Sequence, residues 1–301
     1  MIKYFLLVAI FILFVPVSGH ADRGIIYKRI SSSSYHDVVK LFNEIGYTHD
    51  NWRAGVREVP RIELTHIPQR WKKESRKISV KEKKNIFFRL VGSAILIANE
   101  RIREQRVQLL DKLKSDAAGD DPWVIELARD YELVDSEATP LTDAVIEELV
   151  KRVDEIPPSL ALAQAAEESG WGTSRFAIQG NSLFGQWDFS GKGIQPKKQR
   201  KQLGNYGIAR YEEPQDSVDA YMHNLNTHRA YRKLRDKRAD MRMTGKELTG
   251  YELATTLDKY SERGTAYVKS LHGIMRYNHL DTADQAYLWD KGKIIVDPSE
   301  D

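Results

Sequence analysis

The chain has 301 residues, with 46 Lys and Arg against 43 Asp and Glu, a formal net charge of +3, and no cysteine. The missing cysteines exclude disulfides and cysteine lipidation. A chain of this length can still bury a substantial core without covalent staples, so export into an oxidising compartment remains open to it.

Reading from the N-terminus, Lys3 supplies a short positive region, Tyr4 to Val17 an apolar run too short for a comfortable membrane span, and Gly19-His20-Ala21 a small-residue cleavage site. Residues 1–21 therefore read as a signal peptide cleaved near Ala21, with the mature protein starting near Asp22 in the periplasm or outside the cell; an uncleaved anchor is the alternative. Residues 22–75 form a polar lead-in, punctuated by Ser31 to Ser34, Pro60 and Pro68, with one short helix near His36 to Ile45.

A helical region follows over 76–139. Between Val80 and Leu113 the apolar positions Ile86, Leu90, Ala94, Ile97, Ile102, Val107 and Leu110 fall at helical spacings and predict one long amphipathic helix. A small polar cluster, Asp116 to Asp121, ends it. Pro122 suits the first turn of a helix through Tyr131, and Thr142 caps another running to Glu155.

The most informative stretch is Leu160 to Trp187, within a domain set at 140–280. Pro157 and Pro158 open a helix whose last turn presents Glu167 and Glu168 before Gly170-Trp171-Gly172. A carboxylate there feels the negative end of the helix dipole, and a neighbouring indole would strip its water, so both effects favour the protonated form. That suits Glu168 as a general acid for glycosidic cleavage. Glu167 points about 100° away on a 3.6-residue helix and is read as a surface group.

Strand character is confined to Leu183 to Phe189 and Asn205 to Tyr211, which predict a small hairpin or lobe. Helices are then expected from Ser217, from His228 to Met241, from Lys246 to Leu257 and from Thr265 to Tyr277, with residues 281–301 as a polar tail. The fold class is mainly α with a small β lobe.

Glu168-Ser169-Gly170-Trp171-Gly172-Thr173-Ser174 and Gly180-Asn181-Ser182-Leu183-Phe184-Gly185 resemble the E-S-x-x-G-x-S and N-N-L-F-G signatures of N-acetylglucosaminidases of glycoside hydrolase family 73. Within that group the likeness is to the Bax protein family, through Gln186-Trp187, Asn224 to Tyr231, and Tyr260-Ser261-Glu262-Arg263-Gly264 with Tyr267-Val268. The resemblance implies a lysozyme-like fold, no cofactor, and peptidoglycan glycan strands as substrate. It implies Glu168 as proton donor, and Tyr260 and Tyr267 as tyrosines of the cleft. Asn181 and Phe184 lie in its signatures and are taken as substrate-binding, together with Trp171 and Trp187, which are open between core anchors and sugar-stacking faces.

The two-carboxylate route needs a second acid. Phe189 to Tyr211 holds none, only Lys192, Lys197, Lys198, Arg200, Lys201 and Arg210. Asp188, Glu212, Glu213 and Glu262 are the remaining candidates, with Glu262 placed beside Tyr260 in the catalytic set. Alternatively the substrate's own 2-acetamido group is the nucleophile. The basic run favours an anionic wall or membrane surface over nucleic acid, for which no recognition motif is present. His223 with His228 and His272 with His279 lack metal-ligand helical spacing, so no metal is assigned.

The reading is an exported endo-β-N-acetylglucosaminidase. A muramidase or lytic transglycosylase of the same fold, or a non-catalytic wall-binding module, is the alternative.

Overall fold

The computed structural model describes residues 26–115, 117–135, 140–197 and 206–299. The leader, with its cleavage site, and residues 198–205 of the basic run lie outside the described residues. In chain order the elements are β1 (Ile26–Ser32), α1 (Tyr35–Glu44), α2 (His49–Arg53), β2 (Glu58–Val59), β3 (Ile62–Leu64), α3 (Trp71–Glu74), α4 (Val80–Lys112), α5 (Pro122–Asp130), α6 (Asp143–Arg152), α7 (Pro158–Ser169), α8 (Arg175–Gly180), β4 (Trp187–Asp188), β5 (Gly207–Ile208), α9 (Pro214–Thr227), α10 (Arg232–Met243), α11 (Gly250–Ala254), α12 (Thr265–Tyr277), β6 (Tyr287–Leu288) and β7 (Lys293–Pro298). The protein is thus mainly α with a small β lobe, as the sequence predicts.

The spine is α4. Its 33 residues span about 50 Å at 1.5 Å per residue, and Ser79 caps it by accepting from the Glu82 amide at 3.1 Å. Residues Val91 through Asn99 are buried without interruption, because α7 and α9 pack on one side and β3 and β6 on another. Two polar residues in that stretch are paired with main chain, as burial requires. Ser93 accepts from the Ile62 amide and donates to the Pro60 carbonyl, and the Asn99 amide makes both a donor and an acceptor bond to Ile156. Further along, Val107 and Leu110 keep the helical spacing but face solvent; only Leu109 of that turn enters the second, smaller apolar cluster formed with α5 and α6.

Residues 26–75 and 281–299 are more structured than a polar lead-in and a polar tail. β7 lies between β1 and β3, parallel to both, with Ile30 opposite Val296 and Ile62 opposite Ile294. Ile294 and Val296 are fully buried. A parallel pair needs a crossover connection, and here the crossover is almost the whole chain. The C-terminal segment also reaches the helix that carries Glu168: Asp284, in a 3₁₀ turn, accepts from the amide and hydroxyl of Ser159 in the first turn of α7 and from the Gly250 amide of α11. α11 is shorter than the Lys246 to Leu257 helix expected. It approaches α7 so closely that a Cβ on Gly250 would sit 2.1 Å from Ser159 Oγ.

A buried arginine ties the turn before α7. Arg238 of α10 has no exposed surface and donates to the carbonyls of Lys151, Asp154 and Glu155 and to Asn226 Oδ1. The Asp154 carboxylate balances it, with Arg242 at 2.8 Å and Arg106 at 3.7 Å on the same group. Burial alone would raise Asp154, but the surrounding arginines outweigh it and hold the carboxyl below its ordinary range.

Candidate active site

α7 ends where the sequence places the stop. Gly170, Trp171 and Gly172 all adopt left-handed backbone, at φ of 57°, 64° and 73°. For a tryptophan this is a strained conformation, of the kind that clusters at functional sites. Ser169 holds the turn, accepting from the Gly172 amide at 2.8 Å and donating to the Ala165 carbonyl. The half-buried Glu168 therefore emerges from the last turn of a helix that is otherwise buried nearly all round.

Four tyrosines enclose that carboxylate. Tyr267, 1% exposed, donates its hydroxyl to Glu168 and accepts from Gln164 Nε2 at 3.1 Å. Gln164 lies one helical turn before Glu168, and its Oε1 accepts from the Tyr221 hydroxyl at 2.7 Å. Tyr260 stacks on Tyr267 with ring centroids 5.5 Å apart and lies 5.7 Å from Tyr231. Phe184 stacks on Tyr221 at 3.8 Å, and its carbonyl accepts from the Tyr260 hydroxyl. Opposite, Gly185 comes so near that a Cβ on it would lie 4.0 Å from Glu168 Oε2.

Burial is the largest influence on Glu168 and pushes its pKa up; the Tyr267 hydrogen bond pulls it down, the Glu167 charge pushes it up, and Arg263 pulls it down. The net shift is upward, in the direction a general acid needs. The indole expected to dry the carboxylate has other neighbours. Trp171 packs edge-on to Phe87 and Phe88 of α4, with the Lys84 ammonium 4.8 Å from its ring centroid, and the tyrosines enclose Glu168 instead.

Glu167 is not the surface group that helix geometry suggests. It is half-buried and forms an ion pair with Arg263, so the two adjacent glutamates both engage the 260–267 segment. Glu262 is exposed on that same turn.

Asn181 has its amide wholly engaged by main chain: it accepts from Ile67 N at 2.9 Å and donates to the carbonyls of Tyr211 and Glu212. Its left-handed backbone ends α8, a helix the sequence reading missed. Phe184 is buried at 2%. Of the residues taken as substrate-binding, Trp187 is the exposed aromatic, half open to solvent on β4 beside Phe189 and Tyr206.

The lobe is smaller than the segments expected, two residues per strand with a bridge from Ile194 to Ile208. Asp188 is used within it. Its Oδ1 accepts from the Ser190 amide at 3.0 Å, and the polar groups of Ser190 hold its carboxyl below the ordinary range. Glu213 caps α9 reciprocally with Asp216.

Residues 144–280 match the glucosaminidase family, described as mannosyl-glycoprotein endo-beta-N-acetylglucosaminidase. The chain is similar to Protein bax of Escherichia coli (strain K12), 37% identical over 130 residues, which is 43% of this chain and 46% of that protein. The match thus spans less than half the length of that relative. No solved structure matches.

Proposed function

We propose, from the match of residues 144–280 to the glucosaminidase family, whose fold is lysozyme-like, that the protein is an endo-β-N-acetylglucosaminidase that hydrolyses peptidoglycan glycan strands. The observation that carries the reading is Glu168, drawn up in pKa by burial at the C-terminal end of α7 and held by the Tyr267 hydroxyl. It is the general acid that protonates the departing glycosidic oxygen. The 2-acetamido group of the scissile N-acetylglucosamine attacks its own anomeric carbon; supporting this, the span from Phe189 to Tyr211 contains no acid and Glu213 caps α9, which leaves Glu262, exposed on the 260–267 turn, as the carboxylate for the rival route. Tyr260, partly exposed where it stacks on Tyr267, orients that acetamide, and Glu168, held by Tyr267 and now ionised, takes a proton from the incoming water. Trp187 offers a ring for a sugar to stack on. The leader-like residues 1–21 would deliver the chain to the compartment that holds this polymer.

Mass spectrometry of fragments released from purified peptidoglycan tests the bond cut. Reducing N-acetylglucosamine ends are expected. A lone acid is also what a lytic transglycosylase requires, and anhydro-muramic ends would assign that reaction instead.

A further inference from the structure

On the solvent side of α9 a polar cleft of about 730 Å³ opens against α4 and the end of α5. Ala98, Ile102 and Met222 of the main apolar cluster and Tyr131 of the smaller one contribute to its lining beside the polar side chains, and its volume falls in the range of about 300–1,000 Å³ typical of ligand sites. One wall is Asn224 of α9 with Gln186; the other is Arg101 and Gln105 of α4, which precede the segment matched to the family.

We propose that this cleft binds N-acetylhexosamine units of the glycan strand, extending the catalytic cleft onto helices that lie upstream of the family domain. The inference rests on the glycan-hydrolase reading. Continuity with Glu168 is short. Asn224 is hydrogen-bonded to Tyr231, Tyr231 lies against Tyr260, and Tyr260 stacks on Tyr267, the partner of Glu168. Gln186 follows Gly185 directly and is fixed by Tyr211 at 2.7 Å and by the Ala220 carbonyl at 3.0 Å. Gly185 faces the Glu168 carboxylate and Gln186 lines the cleft, so the two sites share adjacent residues of one segment.

The chemistry of the walls selects the occupant. Arg101 is paired with Asp219 at 2.6 Å, so no strong positive field is left for the carboxylates of a stem peptide. Gln105 accepts from Tyr131 through Oε1, which leaves its amide N–H groups for a ligand. Side-chain amides and a neutralised ion pair suit hydroxyl and acetamide groups, and a site built to hydrogen-bond such groups discriminates strongly against ligands lacking them.

The test is calorimetric titration of chito-oligosaccharides of increasing length into a full-length Glu168→Gln protein, with and without Arg101→Ala and Gln105→Ala. Both positions are at the surface or half-buried, and an unchanged melting profile verifies folding. Affinity should rise with chain length, and the two substitutions should remove that gain, about tenfold for the longest sugar. A length-dependent gain that survives the substitutions would overturn the proposal, as would no binding at any length. Cleft-dependent binding together with no cleavage by the wild type would leave the cleft standing and remove the hydrolase reading.

Discussion

Tyr267 donates its hydroxyl to Glu168 because its oxygen is already occupied by the Gln164 amide, which is in turn oriented by Tyr221. The direction of that hydrogen bond matters. A donor to the carboxylate favours its charged form, so Tyr267 tempers the rise that burial imposes and stabilises the carboxylate left after proton transfer.

The two neighbours of Glu168 should move its titration in opposite directions. The alkaline limb of kcat reports loss of the Glu168 proton in the complex. Tyr267→Phe removes a bond that favours the ionised form, so the limb should shift to higher pH while kcat falls. Glu167→Gln removes a charge that opposes ionisation, so the limb should shift to lower pH. Shifts of the same sign in pH–rate profiles of the two variants would contradict this arrangement.

Acetamide participation should show in the substrate. A glycan stripped of its N-acetyl groups should bind and resist cleavage, and native products should retain anomeric configuration. Tyr260→Phe should then lower turnover more than Glu262→Gln. Inverted products by NMR, with a large loss for Glu262→Gln, would make Glu262 the base.

How much of this was legible follows from the range of the forces involved. Helix α12, the start of α4, the Pro122 and Thr142 starts and the Gly170 stop depend on neighbours within one turn, and periodicity and capping signal them. Gln164 was equally within reach, since i and i+4 share a helix face with Glu168. The β1–β7 pairing joins residues more than 260 positions apart, and Ile294-Ile295-Val296 is too short a run to announce it. The Glu167–Arg263 pair was hidden for a related reason: helix geometry gives the angle between adjacent side chains, and says nothing of a loop that covers both. Pro214 with Glu213 and Asp216 did carry a local capping signal, and it moves the start of α9 ahead of Ser217.

Asp154 should govern acid stability. Its folded pKa is depressed below the unfolded value of 3.8, so its contribution is present above that value and is lost as pH falls through the folded one. Asp154→Asn leaves Arg238, whose own pKa burial pushes down to about 10, without its buried partner. Denaturant unfolding at neutral pH should show a loss of about 3–5 kcal/mol, and the difference from wild type should shrink below pH 4.

The C-terminal segment should support α7 through Asp284. Asp284→Ala leaves the Ser159 and Gly250 donors without their acceptor, a loss of about 1–3 kcal/mol by denaturant unfolding. Burial raises the Asp284 pKa, which weakens its net contribution as pH rises through the folded value. An Asp284→Ala protein as stable as wild type across that range would show that α7 needs no such support.

The most direct measurement is turnover of purified peptidoglycan by Glu168→Gln beside its co-sedimentation with the same material. The amide keeps the shape of the side chain and has no acidic proton, so turnover should fall by ~10²–10⁴-fold while wall binding stays near wild type. A folded Glu168→Gln protein that digests peptidoglycan at the wild-type rate would contradict the assignment of this carboxyl as the acid.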